Sequence, residues 1–125
     1  MIKFIYSLSL AALISTIGLQ ASATSITTKV DLAKDQEVLS KKIVVAYAQR
    51  KDISQVINRL EMQQSRLKDS IHDPEISNLL DFLQLCLHNI KTINAAPRSA
   101  KTNQEIADLG TSISEGSRYI AQTLR

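Results

Sequence analysis

The chain has 125 residues, a length that suits one small domain rather than two. Its 15 basic and 12 acidic residues give a formal net charge of +3 at pH 7. A charge this balanced is not typical of a nucleic-acid-binding protein, so no nucleic acid is expected among its partners.

The first 23 residues have the pattern of a secretory signal peptide. Lys3 supplies the positive charge of the N-terminal region, and an apolar run covers residues 4–19. The sequence Ala-Ser-Ala at residues 21–23 is a small-residue cleavage site. We therefore expect residues 1–23 to be removed and residues 24–125 to form a periplasmic domain. The alternative is an uncleaved membrane anchor, although the run is short for a span of about 20 residues. No later run predicts a membrane span.

The first predicted helix runs from about Thr28 to Gln49. Residues spaced by three and four along it form one stripe, which is typical of the buried seam of a helical bundle. The stripe comprises Leu32, Gln36, Leu39, Ile43 and Ala46. Gln36 is a polar residue at a position where the pattern favours an apolar one, and a buried amide without hydrogen-bond partners costs about 1–3 kcal/mol.

The second and third helices are each predicted to begin after an aspartate. Asp52 is the expected N-cap of the second helix, and Asp73 followed by Pro74 is a strong start for the third. The second stripe comprises Ile53, Ile57, Leu60, Gln64, Leu67 and Ile71. The third comprises Ile76, Leu79, Leu83, Cys86, Ile90 and Ile93.

A fourth helix is expected after Pro97, with Ser99 or Thr102 as its N-cap. Gly110 and Gly116 lie inside it, and each weakens a helix by about 1 kcal/mol relative to Ala. Gly116 falls on the apolar stripe, which favours a close helix contact there. Gly110 falls off the stripe, where a kink or an early end of the helix is the alternative.

The sequence has no alternating strand pattern and no hairpin turn, so an all-α fold is predicted. Four amphipathic helices joined by short loops favour an antiparallel up-down-up-down four-helix bundle. The lone Cys86 has no partner for an internal disulfide and is interpreted as a buried small hydrophobe, with a reactive or intermolecular thiol as the alternative.

No cofactor, metal or enzymatic activity is predicted. A haem would need ligands such as Met62 or His88 facing inward, and both fall at outer positions of their helices; His72 falls at the end of the second helix. The Glu-x-x-His pairs of di-metal bundles do not occur, nor does a nucleophile or phosphate-loop motif.

The polar seam positions have two interpretations. Gln36 and Gln64 could form a hydrogen bond between helices one and two that fixes their register. Alternatively, Gln36, Ser40 and Lys42 could form a small-ligand site.

The stretch from Leu32 to Tyr47 resembles the N-terminal sensor domain of type IV pili methyl-accepting chemotaxis transducers and the related domain of nitrate/nitrite sensor kinases. That family opens with a pattern like Asn-Leu-Ala-Gly-Arg-Gln-Arg-Met-Leu-Ser-Gln-Arg-Met-x-x-x-Tyr. The residues that match it outright are Leu32, Ala33, Gln36, Leu39, Ser40 and Tyr47. Lys42 and Ile43 match in kind.

The resemblance implies a four-helix sensor bundle outside the cytoplasm, often dimeric through its first helix. Two departures limit what it implies. Glu37 stands where the nitrate sensors have an anion-binding Arg, so nitrate binding is not expected here. Family members also continue into a membrane span and a signalling module, whereas this sequence ends at Arg125. A signal is therefore expected to pass through a partner, or the protein is only a binding module.

Two functions are therefore predicted. The first is an exported, stand-alone sensor-like bundle that binds a small ligand or an envelope receptor. The second is a structural or protein-interaction bundle without a ligand, which self-associates or docks through Val38, Val44 and Val45 because these residues lie off the main stripe.

Overall fold

The computed structural model describes residues 25–124, and among these the side chains from residue 29 onward. The helices of the described part of the chain are accompanied by no strand, which confirms the prediction of an all-α fold. The proposed signal peptide lies outside these residues. The helices are α1 (Ser25–Ala48), α2 (Ser54–Ser70), α3 (Pro74–Asn94) and α4 (Ala100–Leu124). Over residues 25–124, no helix has both the length and the apolar content needed to span a membrane.

Local side-chain caps explain where α3 and α4 begin. The Asp73 carboxylate accepts a 3.0 Å hydrogen bond from the Ile76 amide, and Pro74 is the first helical residue, as the sequence predicts. At α4, the Thr102 amide donates to Ser99 Oγ at 3.1 Å, and the Ser99 amide donates to Thr102 Oγ1 at 2.8 Å. Both residues proposed as the cap therefore act together, and Ser99 lies just before the helix.

The start of α2 differs from the prediction by one residue. Ile53 occupies the N-cap position and has no side-chain cap, while the Asp52 carboxylate accepts a 3.0 Å bond from the Ser54 amide. Ile53 is fully buried, so packing fixes this residue while Asp52 serves as the hydrogen-bond acceptor from outside the helix. The start of α1 lies three residues before the predicted one, and Thr28 falls inside the helix.

The end of α1 is a Schellman motif that uses Arg50 where glycine is usual. The Lys51 amide bonds to the Ala46 carbonyl at 2.9 Å, and the Arg50 amide bonds to the Tyr47 carbonyl at 3.0 Å. Arg50 has a φ of 64°, which is the left-handed region that residues with a Cβ rarely adopt.

The four helices pack in a closed ring. Each helix contacts the next along the chain, and α1 makes its most extensive contact with α4. Across the described residues, helices at opposite corners of this ring are not in direct backbone proximity. The core between the helices consists largely of Ile and Leu side chains, as the apolar stripes predict.

The buried face of α1 is rotated slightly from the predicted stripe. Gln36, Leu39 and Ile43 are buried, but Leu32 and Ala46 are only partly buried. The buried set also includes Ala33, Ser40 and Tyr47. Ser40, one of this set, lies where α4 approaches α1 closely.

Glycine contacts explain part of this approach. A Cβ at Gly110 would collide with the Val44 side chain and lie 3.2 Å from the Ser40 carbonyl oxygen, so Gly110 is a close-contact residue. The alternative of an early helix end at Gly110 is wrong, because α4 continues unbroken through it. A Cβ at Gly116 would lie 2.7 Å from Leu83, which confirms the expected close contact there.

Candidate functional site

Contacts on both sides of Gln36 fix its level in the bundle. Asp35, the preceding residue, accepts a hydrogen bond from Gln63 Nε2 of α2. Glu37, the following residue, accepts a 2.9 Å hydrogen bond from Arg118 of α4. Gln36 therefore lies between two interhelical contacts, at the level where α1 meets both neighbouring helices.

α3 also contacts its two neighbouring helices at this level of the bundle. Gln64, next to Gln63 on α2, donates a 3.4 Å bond from Nε2 to the Leu83 carbonyl of α3. Leu83 in turn lies against Gly116, two residues before Arg118 on α4. Pairwise contacts thus run around the ring from α1 to α2, α3 and α4 and back to α1.

Four buried neutral polar residues lie at this level, and we call them the polar layer: Gln36, Gln63, Gln64 and Ser117. Their exposed fractions are 0%, 7%, 1% and 1% respectively. Among the described residues, both amide atoms of Gln36, the Gln63 Oε1 and the Ser117 Oγ have no hydrogen-bond partner. Such groups are rare in the interior of a protein because each forfeits its hydrogen bonds to water.

The hydrogen bond proposed between Gln36 and Gln64 does not form. The Gln64 amide group bonds to the α3 backbone instead, and both Gln36 amide atoms remain unpartnered over the described residues. Gln36 therefore does not fix the register of α1 and α2 by that bond. Its hydrogen-bonding capacity is still free.

Of the three predicted ligand-site residues, the structure buries two and exposes the third. Gln36 and Ser40 are both fully buried, whereas Lys42 is exposed on the surface of α1. The Ser40 hydroxyl donates a 2.9 Å bond to the Glu37 carbonyl of its own helix. Its hydrogen bond is thus satisfied locally, and Gln36 alone of the three contributes unpartnered atoms to the core.

A surface groove lies beside the polar layer. It has a volume of about 230 Å³ and is lined in part by Gln64, together with Glu61 of α2 and Gln84 and His88 of α3. Gln64 therefore belongs to the polar layer and also lines this groove.

Charged residues flank the layer at the surface. Glu37 pairs with Arg118 at 2.9 Å and with Lys41 at 3.2 Å, and Asp35 pairs with Arg59 at 3.4 Å. Burial by itself raises the pKa of Glu37, but the hydrogen bonds from Arg118 and Lys41 outweigh it and bring the pKa below its ordinary value. Both carboxylates beside Gln36 are therefore already paired with cations.

The three valines predicted as an interface lie in different environments. Val38 and Val45 are 59% and 56% exposed, whereas Val44 is partly buried against Gly110. Val44 and Val45 also line a groove of about 320 Å³ between α1 and α4, which Lys41 and Arg118 border.

Arg98 is a structurally important residue that the sequence analysis did not single out. From the loop before α4, its Nη1 donates to the Tyr47 carbonyl at 2.7 Å and its Nη2 donates to the Lys51 carbonyl at 2.6 Å. Its guanidinium also stacks over the Tyr47 ring. The pattern offered no indication of this contact, because the partners are 51 residues apart.

Other polar or reactive groups do not form a site. Met62, His72 and His88 are exposed, and no group of potential metal ligands occurs in the described part of the chain. Cys86 is 3% exposed, and burial raises the pKa of its thiol, which keeps it protonated and weakly nucleophilic at neutral pH.

Comparison with known proteins gives no match to a family model, to a curated protein or to a solved structure.

Proposed function

We propose that this chain is an exported, stand-alone sensor-like four-helix bundle that binds a small ligand at the polar layer. The observation that carries the proposal is Gln36, whose amide is fully buried and unpartnered within the described residues. A buried amide without partners is unfavourable for folding, so its presence is better explained by a binding role than by stability. The likeness of residues 32–47 to the sensor family supports the same function.

The proposed topology is the antiparallel up-down-up-down arrangement, and the order of contacts supports it. On α1, Glu37 meets Arg118, and seven residues later Val44 meets Gly110, which comes earlier on α4. Between α2 and α3, Glu61 meets Lys91 and Lys68 meets Asp81, again in opposite order along the two helices.

A thermal-shift screen tests the proposed binding. The protein, expressed from its full sequence, is heated with a panel of amino acids, small organic acids and neutral metabolites, in parallel with Gln36→Leu. We expect Gln36→Leu to melt at a higher temperature than the wild type, because it removes a buried unpartnered amide. We also expect it to lose the stabilisation that a binding compound gives to the wild type. A Gln36→Leu variant that binds as tightly as the wild type would show that the site is misplaced.

The proposed export is tested by the mass of the protein recovered from the periplasm. Cleavage after Ala23 gives a product that begins at Thr24. Recovery of the intact chain in the membrane fraction would instead support the uncleaved anchor.

The second candidate function is a protein-interaction bundle, and the exposure of Val38 and Val45 on one helix favours it. Its test is sedimentation over a concentration series. The variant with both Val38→Asp and Val45→Asp should abolish any dimer, whereas Met62→Asp, at a similarly exposed position on α2, should not. A monomer at every concentration would exclude self-association and direct attention to an envelope receptor.

A further inference from the structure

The polar layer also restricts the chemistry of its ligand, and this inference rests on the proposed function. Gln36 offers an amide with two donors and one acceptor, Gln63 offers a free carbonyl oxygen, and Ser117 offers a hydroxyl that can do both. A ligand that satisfies these atoms must itself both donate and accept hydrogen bonds.

The surroundings disfavour a charged ligand. The side chains of the polar layer are all neutral, and the nearby carboxylates Asp35 and Glu37 are already paired with Arg59 and Arg118. An ion brought to Gln36 would lose its hydration without gaining a free counter-charge.

Buried apolar residues limit the size of the ligand. One turn or two from Gln36 on α1 lie Ala33 and Ile43, and next to Ser117 on α4 lie Ile113 and Ile120, all fully buried. Along α1 and α4, the polar layer therefore has fully buried apolar residues on both sides. The polar groups favour a compact molecule with few heavy atoms.

From these features we infer that the polar layer binds a small neutral molecule carrying both a hydrogen-bond donor and an acceptor, held by Gln36, Gln63 and Ser117. Primary amides and water share this chemistry, water being the smallest molecule of the class. Lys42 has no part in the site because it is exposed. Ser40 has none because its hydroxyl is bonded to its own helix.

The test is a nitrogen-15 NMR titration of the full-sequence protein that follows the side-chain amide of Gln36, assigned by its disappearance in Gln36→Leu. The probes are acetamide and acetate, which have the same shape and differ in charge. The same sample is examined for magnetisation transfer between the Gln36 amide and long-lived water.

We expect acetamide to shift the Gln36 signal saturably and acetate to leave it unchanged. Ser117→Ala should weaken acetamide binding about fivefold, the effect of one lost hydrogen bond. Ser40→Ala is the matched control, since it removes an equally buried hydroxyl that is already bonded, and it should bind acetamide like the wild type.

Each other outcome is decisive. Long-lived water at Gln36 without acetamide binding would agree with a neutral ligand and identify water as the molecule bound there. It would also remove the support for the proposed sensor function. A shift of the Gln36 signal on addition of acetate would overturn the inference that the ligand is neutral. A Gln36 amide that responds to neither probe and contacts no water would overturn the site itself, as would equal effects of Ser117→Ala and Ser40→Ala.

Discussion

The guanidinium of Arg98 lies 4.2 Å from the centroid of the Tyr47 ring and donates a 2.7 Å hydrogen bond to the Tyr47 carbonyl. Arg98 also donates a hydrogen bond to the Lys51 carbonyl. The loop before α4 is thereby bound both to the last turn of α1 and to the residues that follow it. The Tyr47 carbonyl already accepts the Arg50 amide of the Schellman motif, and Arg98 adds a second hydrogen bond to it from a distant part of the chain.

Arg98→Ala should lower the free energy of unfolding by about 1–2 kcal/mol, because it removes two hydrogen bonds and a cation–π contact. Arg98→Lys should recover little of this, since an ammonium group cannot reach two carbonyls and stack at the same time. Urea unfolding followed by circular dichroism measures both. Arg66→Ala, at an exposed site on α2, is the control, and a loss equal to that of Arg98→Ala would contradict the assignment.

Arg50→Gly should stabilise the protein by up to about 1 kcal/mol, because glycine adopts a positive φ without the steric strain that a Cβ causes. The gain is measured as an increase in the urea midpoint at constant slope. Gln49→Gly, one residue earlier and without a positive φ, should give no gain. Equal midpoints for wild type and Arg50→Gly would mean that the Arg50 side chain compensates for its backbone conformation.

Gly110→Ala should lower the free energy of unfolding by about 1 kcal/mol, because the added methyl group meets Val44 and the fixed Ser40 carbonyl. This loss exceeds the gain in helix propensity. Adding Val44→Ala should recover part of the stability, since it removes one of the two contacts. Gly116→Ala is the comparison, and it should cost less because its methyl group meets only the end of the Leu83 side chain. A larger loss at Gly116 would reverse this ranking of the two contacts.

The ion pair between Glu37 and Arg118 should make stability depend on pH. The pKa of Glu37 is lowered in the folded protein from an ordinary value of 4.5, so its contribution is present above that value and is lost as the pH falls below it. A double-mutant cycle of Glu37→Gln and Arg118→Gln should give a coupling of about 0.5 kcal/mol at neutral pH. The coupling should fall as the pH is lowered through the depressed pKa of Glu37, because the carboxylate is then protonated. A coupling that does not change with this protonation would exclude an electrostatic origin.

The sequence was sufficient to predict those features that depend on residues close together in the chain. The helix starts at Asp73-Pro74 and at Ser99 follow from hydrogen bonds that span three residues, so their pattern is visible locally. The apolar stripe of α2 was also predictable, because burial on an amphipathic helix follows its periodicity. On α3 the stripe was only partly right, since Leu79 and Ile93 are partly buried.

Features that depend on distant residues were not predictable in the same way. The close approach at Gly110 and the rotation of the buried face of α1 both depend on where α4 packs, which the sequence of α1 alone does not specify. Gln36 was correctly expected to be buried, but its proposed bond to Gln64 was wrong because Gln64 finds a carbonyl on α3.

The extensive contact between α1 and α4 has a consequence for folding. These helices are the first and last that the structure describes, so the largest interface of the bundle joins segments far apart in the chain. Closing so long a loop is slow compared with pairing neighbouring helices. A ribosome-bound chain that lacks α4 would therefore leave the inner face of α1 uncovered, and the native ring could close only once α4 has emerged.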